Sequence, residues 1–476
     1  MRITIRRIVT RKRRKKTTPA RVSAFSGRMD GPFTLMHFLK RCLSAFRICR
    51  RNVLRIIAAE FGYPPCRGRN FMKLTLTIAL TSEDSSMKKT ALAAAVTLAS
   101  FASLAHAQSS VTLYGSLDTS VAWFGNQQGK NGSGGTFQMM SGNLSPNLWG
   151  LRGTEDLGNG LSAIFKLESG FNVDNGKQAQ GGRLFGRTAM VGLSSSNAGT
   201  VTLGRQYDPL IDLLQPLTND GAFGSAFATP GDMDNYDNSY RTSNSIKYAS
   251  PNFAGLQVSA MYAFGGQPGS MGAGQTWAVA AAYNHGPFGF GAGYFKANSN
   301  SGTVASFDGL NPNTDVNVDS TAITGGFVSA NSLQIIRAAG DYTYGQVTAG
   351  LAYSNVEYAN YQSAAGANST TRFNTGQAFI NYQLTPVALV GFGYNYTKGS
   401  GNGVDASYNQ FSLGGDYFLS KRTDIYVLAG YQKASGRTID ANTGELVDAN
   451  ASFGDFGNDS SNNKQAMAMV GLRHKF

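Results

Sequence analysis

The chain has 476 residues, with 58 Gly, 13 Pro, 3 Cys and a formal net charge of +14. That charge is confined to the front: residues 1–107 hold 22 Lys and Arg against 4 Asp and Glu, whereas residues 108–476 hold 20 against 24. The mildly acidic body excludes the nucleic-acid-binding surface that the overall charge suggests. Its lack of Cys excludes a disulfide framework or a thiolate metal site, and the absence of a run of about 18 apolar residues excludes a membrane helix.

Residues 1–86 are Arg-rich and irregular, with RKRRKK at 11–16 and all three cysteines, Cys42, Cys49 and Cys66. Three readings of this stretch stand side by side. Translation begins at Met87 and the stretch is an over-extended reading frame, or it is a disordered extension removed on export, or it is a basic arm for nucleic acid or anionic lipid. The charge run carries no interleaved aromatic residues, which weighs against the third. Residues 87–108 read MKKTALAAAVTLASFASLAHAQ. A charged start, an apolar stretch and the small-x-small site Ala105-His106-Ala107 before Gln108 make a secretory signal with cleavage after Ala107.

From Val111 to Phe476 the hydrophobic pattern alternates with period 2, in segments of about ten residues bounded by turn residues. In 256–264, Leu256, Val258, Ala260, Tyr262 and Phe264 oppose Gln257 and Ser259. In 333–344, Ile336, Ala338, Tyr342 and Tyr344 oppose Arg337, Asp341 and Thr343. In 378–384, Ala378, Ile380, Tyr382 and Leu384 oppose Gln377, Phe379, Asn381 and Gln383. About sixteen such segments start near residues 111, 146, 161, 184, 199, 243, 256, 276, 288, 332, 347, 373, 387, 406, 423 and 465. Short turns such as 157–160, 195–199, 285–289 and 384–387 alternate with longer connections near 126–144, 174–183, 208–242, 265–275, 298–331, 359–372, 398–405 and 435–464. Aromatic residues cluster near strand ends, as at Trp123, Trp149, Trp277 and Tyr394. One apolar and one polar face, with short turns at one rim and loops at the other, predict an all-β fold. It is a transmembrane antiparallel β-barrel with lipid outside and water inside.

Several blocks are similar to the Gram-negative trimeric general-diffusion porins, most closely those of β-proteobacteria such as Burkholderia. They are VTLYGSLDTS (111–120), NLWGLRGTEDLGNGLSAIFKLESGF (147–171), FGRTAMVGLSSSNAGTVTLGRQYDP (185–209), RTSNSIKYASPNFAGLQVSAMYAFG (241–265) and VGLRHKF (470–476). The resemblance covers 87–476. It implies an outer-membrane homotrimer in contact with lipid and lipopolysaccharide, passing small hydrophilic solutes and ions. It also implies short periplasmic turns, long external loops, and a terminal Phe476 read by the barrel-assembly machinery.

The resemblance implies further that the third external loop folds inward and sets its acids against basic residues of the wall. Loop 208–242 is then the constriction, with Asp208, Asp212, Asp220, Asp232, Asp234 and Asp237. Arg152, Lys166, Arg187, Arg205 and Arg241 are the basic wall, with Lys247 on the same polar parity. Leu148 stands where many relatives place Arg before the Trp, which leaves the extent of the basic ladder and the ion preference open. No cofactor or metal is called for. His285 and His474 lack the partners of a nucleophilic triad, no Cys/His metal spacing occurs, and no phosphate loop opens a helix. A solute-specific channel and a structural or adhesive surface protein remain as alternatives to a passive pore.

Overall fold

The computed structural model describes residues 110–129, 132–266, 268–299, 321–364 and 366–476. The extension 1–86, the signal 87–107 and the cleavage residues Ala105, Ala107 and Gln108 lie outside the described residues. In chain order the strands begin with β1 (Ser110–Gly129), β2 (Gly132–Ser141), β3 (Leu148–Gly158), β4 (Leu161–Gly170), β5 (Thr188–Ser195) and β6 (Gly199–Gln206). Then come β7 (Thr242–Ala249), β8 (Leu256–Ala263), β9 (Thr276–His285), β10 (Phe288–Asn298), β11 (Ser332–Tyr344) and β12 (Val347–Ser363). The rest are β13 (Gly366–Thr385), β14 (Ala388–Ser400), β15 (Ser407–Phe418), β16 (Thr423–Ser435), the small hairpin β17 (Arg437–Ile439) and β18 (Leu446–Asp448), and β19 (Lys464–Lys475).

From β3 onward each strand of the main sheet pairs antiparallel with the next, β2 and β3 both pair with β1 rather than with each other, and β19 pairs with both β16 and β1, from Ser116 opposite Lys475 to Phe124 opposite Met467. The sheet therefore closes on itself and has no free edge, as a strand protein in lipid requires. The first half of β1 pairs with β3 and its second half with β2, so β2 and β3 form one interrupted stave and the seventeen strands make sixteen staves. Residues 142–147 leave that stave inward. Asp118, fully buried on β1, holds them: its Oδ2 accepts the amides of Leu144 and Ser145, both at 2.8 Å.

The predicted faces hold. Ile380, Tyr382 and Leu384 face outward, while Gln377 and Asn381 are buried on the lumen side. Ile336, Tyr342 and Tyr344 face outward and Arg337 inward, and Leu256 and Val258 oppose buried Ser259. The outward apolar rings and branched side chains need a nonaqueous surround.

Two connections expected as long loops are instead largely extensions of the wall. β1 and β2 stay paired to Gly129 opposite Gly132, and β12 and β13 to Ser363 opposite Gly366, whereas the connection expected at 398–405 is a loop, 401–406, between β14 and β15. Register slips at Ala359/Tyr361 and at Phe124/Gln127 carry the pairing across irregular sequence that alternation alone misses.

Candidate functional site

The segment between β6 and β7 folds into the lumen, and its local sequence explains how. Asp208 caps α1 (Pro209–Leu214), accepting the amides of Leu210 at 2.7 Å and Ile211 at 3.3 Å, with Pro209 in the first turn. A short turn follows, then α2 (Asp220–Phe223). Leu210, Leu214, Phe223 and Phe227 are buried against the wall, and glycines of the wall make their room. A Cβ on Gly293 would lie 2.7 Å from Leu210 Cγ, one on Gly414 2.6 Å from Phe223 Cε1, and one on Gly393 2.7 Å from Phe227 Cδ1. Glycines on the lumen face of β10, β14 and β15 thus form notches for the apolar side of the loop.

Three of the predicted acids are spent on shaping this loop. Besides capping α1, Asp208 accepts from Asn235 Nδ2 at 3.2 Å. Asp232 accepts the amides of Asp237 and Ser239 and the Ser239 hydroxyl, at 2.9, 3.2 and 2.6 Å. Asp234 accepts from the hydroxyls of Thr229, at 2.7 Å, and Ser354 on β12. Asp212 ties the loop to the wall through Lys247 Nζ at 2.6 Å. Arg337, fully buried on β11, lies with its guanidinium 4.5 Å from the centre of the Tyr236 ring beneath the loop.

The other two acids, Asp220 and Asp237, line a cavity of about 640 Å³ between loop and wall. Arg183, Arg205 and Arg241 line it too, and so does Asp455 from the connection 435–464. The basic side is rigid. Tyr207 accepts hydrogen bonds from Nη2 of Arg187 and, at 3.0 Å, from Nη2 of Arg241, and donates to Asn238 Oδ1 at 3.2 Å. Both guanidiniums also lie over the Tyr207 ring, at 5.8 and 5.0 Å from its centre. Arg241 is only 7 % exposed, and its Nη1 donates to the Ser239 carbonyl at 2.8 Å. Arg205 pairs opposite Ala189 in an outward row, but a bulge between Gly204 (φ 133°) and Gln206 breaks the alternation. Its Nε then donates to the Gly186 carbonyl at 2.6 Å.

The acidic side is buried. Burial pushes the Asp220 carboxyl well above the usual carboxylate range, and the neighbouring Asp232 and Asp234 add to it. Burial, then Asp455, Asp232 and Asp220, raise Asp237 in the same way, and burial raises Asp455.

Arg152 and Lys166 are not brought to this cavity. They pair with each other across β3 and β4, Arg152 over the Tyr114 ring at 5.1 Å and Lys166 against Glu168 at 3.0 Å. Glu168 also accepts from Tyr114 at 2.9 Å and Thr188 at 2.7 Å, so in this lumen patch the Lys166 charge is paired.

Residues 91–437 match the Gram-negative porin family. The chain belongs to that family. An outer membrane porin protein of Bordetella pertussis is 32 % identical over 82 % of this chain and the whole of that protein. Among solved structures, an anion-selective porin from Comamonas acidovorans aligns over 78 % of this chain and all of that one, with a TM-score of 0.59 and 24 % identity. The trimer form of OmpT, an outer membrane protein of Vibrio cholerae, aligns over 77 % of this chain and 99 % of that one, with a TM-score of 0.53 and 18 % identity. This porin is thus a water-filled channel of the Gram-negative outer membrane for passive diffusion of small hydrophilic solutes and ions, and its relatives are channels rather than enzymes.

Sequence reasoning missed Arg183 and Asp455 as lining residues, because both sit in loops whose inward course no periodicity reports. It also missed the notches, although their signal was present: glycines at every second position in FGFGAGYF (288–295) and VGFGYNY (390–396).

Proposed function

We propose that this porin is a homotrimeric general-diffusion channel whose neck, between loop 208–242 and the wall, prefers anions. The observation that carries the reading is the cavity of about 640 Å³ lined by Arg183, Arg205 and Arg241 together with Asp220, Asp237 and Asp455. Guanidinium stays charged at any working pH, whereas burial favours the neutral form of the three acids. The neck therefore carries net positive charge, and water in it lets that charge act on passing ions. Loop acids Asp208, Asp232 and Asp234 shape the neck, and Asp212 fastens it to Lys247. The anion selectivity named for the Comamonas porin and the trimer named for the Vibrio protein support the same reading for this chain.

In the cell, the signal 87–107 directs export with cleavage before Gln108, and the basic extension 1–86 plays no part in the pore. The barrel-assembly machinery reads Phe476, and the finished barrel sits among lipid and lipopolysaccharide. The channel takes no cofactor, catalyses no reaction and binds no nucleic acid. Refolded 108–476 in a planar bilayer tests the reading, with large ohmic steps and a reversal potential favouring chloride in a KCl gradient as the expected result. Absence of conductance overturns the channel, and a potassium-favouring reversal potential overturns the anion preference.

A further inference from the structure

We propose that the uncharged break 142–147 is a wall-side jaw of the neck, and that Asp118 and Tyr426 are positioning residues that hold it back against the wall and so keep the neck open. The inference deepens the channel reading and rests on the cavity being its neck.

The register forces the break out of the sheet. Ser141 at the end of β2 stands opposite Thr119, and Leu148 at the start of β3 stands opposite Ser116. Between those partners β1 has only Leu117 and Asp118, whereas the facing stave has all of 142–147. A ladder takes residues one for one, so the surplus must leave it. Asn147 repairs the gap with its side chain. The Asp118 amide donates to Asn147 Oδ1, and Asn147 Nδ2 donates to the Asp118 carbonyl at 2.9 Å and to Ser141 Oγ at 2.7 Å. The Gly142 amide donates to the same carbonyl at 2.9 Å. Both ends of the break are thus stapled to β1, and Gly142, Asn143, Leu144, Ser145 and Pro146 line the cavity.

The latch reaches across a strand. Asp118 and Tyr426 are buried, and neither lines the cavity, so they act on it only through the break. Tyr426 on β16 donates to Asp118 Oδ1 at 2.5 Å, while Asp118 Oδ2 holds the amides of Leu144 and Ser145. Gly471 on β19 lies between Tyr426 and Ser120 in the register, and a Cβ there would clash with the Tyr426 ring. That glycine is what lets the ring cross to β1. Asn143 Nδ2 donates to the Tyr426 hydroxyl and to Ser120 Oγ, both at 3.0 Å. From the lumen side the inward loop meets the same segment. The Ser225 amide donates to the Asn143 carbonyl at 3.1 Å, and Gly224, at φ 57°, lies too close to that carbonyl to carry a side chain. Leu144 shares a buried cluster with Phe223 and Phe227.

These contacts set a direction. Asp118, Ser120 and Tyr426 all belong to the wall, so their bonds draw the break outward from the neck. Without them the surplus residues have unpaired buried amides on the wall side and water on the other, and they move toward water. The segment GNLSPN has no ionisable side chain. It therefore governs width and leaves the sign of the neck to its arginines and acids.

Swelling of liposomes carrying refolded 108–476 tests this, because neutral sugars report width and not charge. Passage through a pore follows its diameter, so Asp118→Ala and Tyr426→Phe should each lower the disaccharide rate relative to the pentose rate by about twofold or more. Circular dichroism should stay that of the wild type, since the backbone pairs beside the break are untouched. Ser145→Cys gives an independent readout, because residues 108–476 contain no other thiol. Its thiolate attacks a charged methanethiosulfonate reagent, forms a mixed disulfide and releases methanesulfinate, and each modified channel should fall to a smaller conductance step. Asn197→Cys, exposed on the turn between β5 and β6, should be modified with no change in conductance. Tyr426→Phe removes one oxygen and Ser145→Cys leaves the latch whole, so the test stays decisive should Asp118→Ala refold poorly. A wild-type or raised sugar ratio in the latch variants, or a modified Ser145→Cys channel that conducts as before, overturns the jaw. A wild type that gives no swelling overturns the channel reading instead. A potassium-favouring reversal potential overturns only the anion preference, and the sugar ratios still decide the jaw.

Discussion

Gly414 offers the sharpest test of how the wall holds the inward loop. Its three nearest side-chain atoms all belong to Phe223, which is fully buried, and a Cβ there would sit 2.6 Å from Cε1 and 2.8 Å from Cγ. Ordinary carbon contacts need about 3.5–4.0 Å, so Gly414→Ala displaces the ring by about 1 Å. Overpacking of this kind costs about 1–3 kcal/mol. A cost of about 2 kcal/mol raises the occupancy of a withdrawn loop roughly thirtyfold. Single-channel recording should then show larger and noisier steps than the wild type. Gly415→Ala is the control, because its Cβ would meet nothing within 4 Å. Phe223→Ala loses about 3–5 kcal/mol of packing, and adding Gly414→Ala to it should change nothing more, because the clashing ring is gone. If Gly414→Ala conducts like the wild type, or if the two substitutions add, the glycine notch is not what seats the loop.

Three further outcomes follow from the site. Lys247→Met removes the tie to Asp212, whose side chain is 40 % exposed. Solvent screens such a pair, so the loss is about 0.5–1 kcal/mol, seen as more frequent flickering with unchanged main conductance. Arg241→Ala removes a guanidinium from the Tyr207 clamp and should shift the reversal potential toward potassium, whereas Arg152→Ala, outside the cavity, should shift it less. Phe476→Ala keeps the backbone bonds to Gly115, at 3.0 and 3.1 Å. It should therefore lower the amount of barrel recovered in the outer membrane while detergent refolding stays near wild type, and equal loss in both would mean a structural role.

The barrel was legible in the chain because lipid and water impose a strict period of two. Every outward side chain must be apolar, and a one-residue slip would reverse the faces of a strand. Thus the pattern Leu256, Val258, Tyr262 and the pattern Ile380, Tyr382, Leu384 located walls and faces correctly. The polar parity of Lys247 and Arg337 was readable for the same reason. Position along the strand was not: parity put Arg152 and Lys166 in the lumen, but only the tertiary structure showed that they lie away from the cavity, with Lys166 paired to Glu168 and Arg152 over Tyr114. Arg205 lay beyond parity altogether, because a single bulge at Gly204 re-aims it.

The inward loops were decided by tertiary structure alone. An acid in loop 208–242 reads the same in sequence whether it caps a helix, as Asp208 does, or lines the pore, as Asp237 does. The difference lies in which amides and hydroxyls surround it. Asp455 joins Asp237 on the cavity across more than two hundred residues of chain because strands β15, β16 and β19 hold Ser452, Phe453 and Gly454 from below. Alternation needs only neighbours on one strand, so the sequence determined a closed, lipid-facing barrel ending at Phe476. The neck needs side chains from several strands and two loops in one place, and only the closed barrel brings them together.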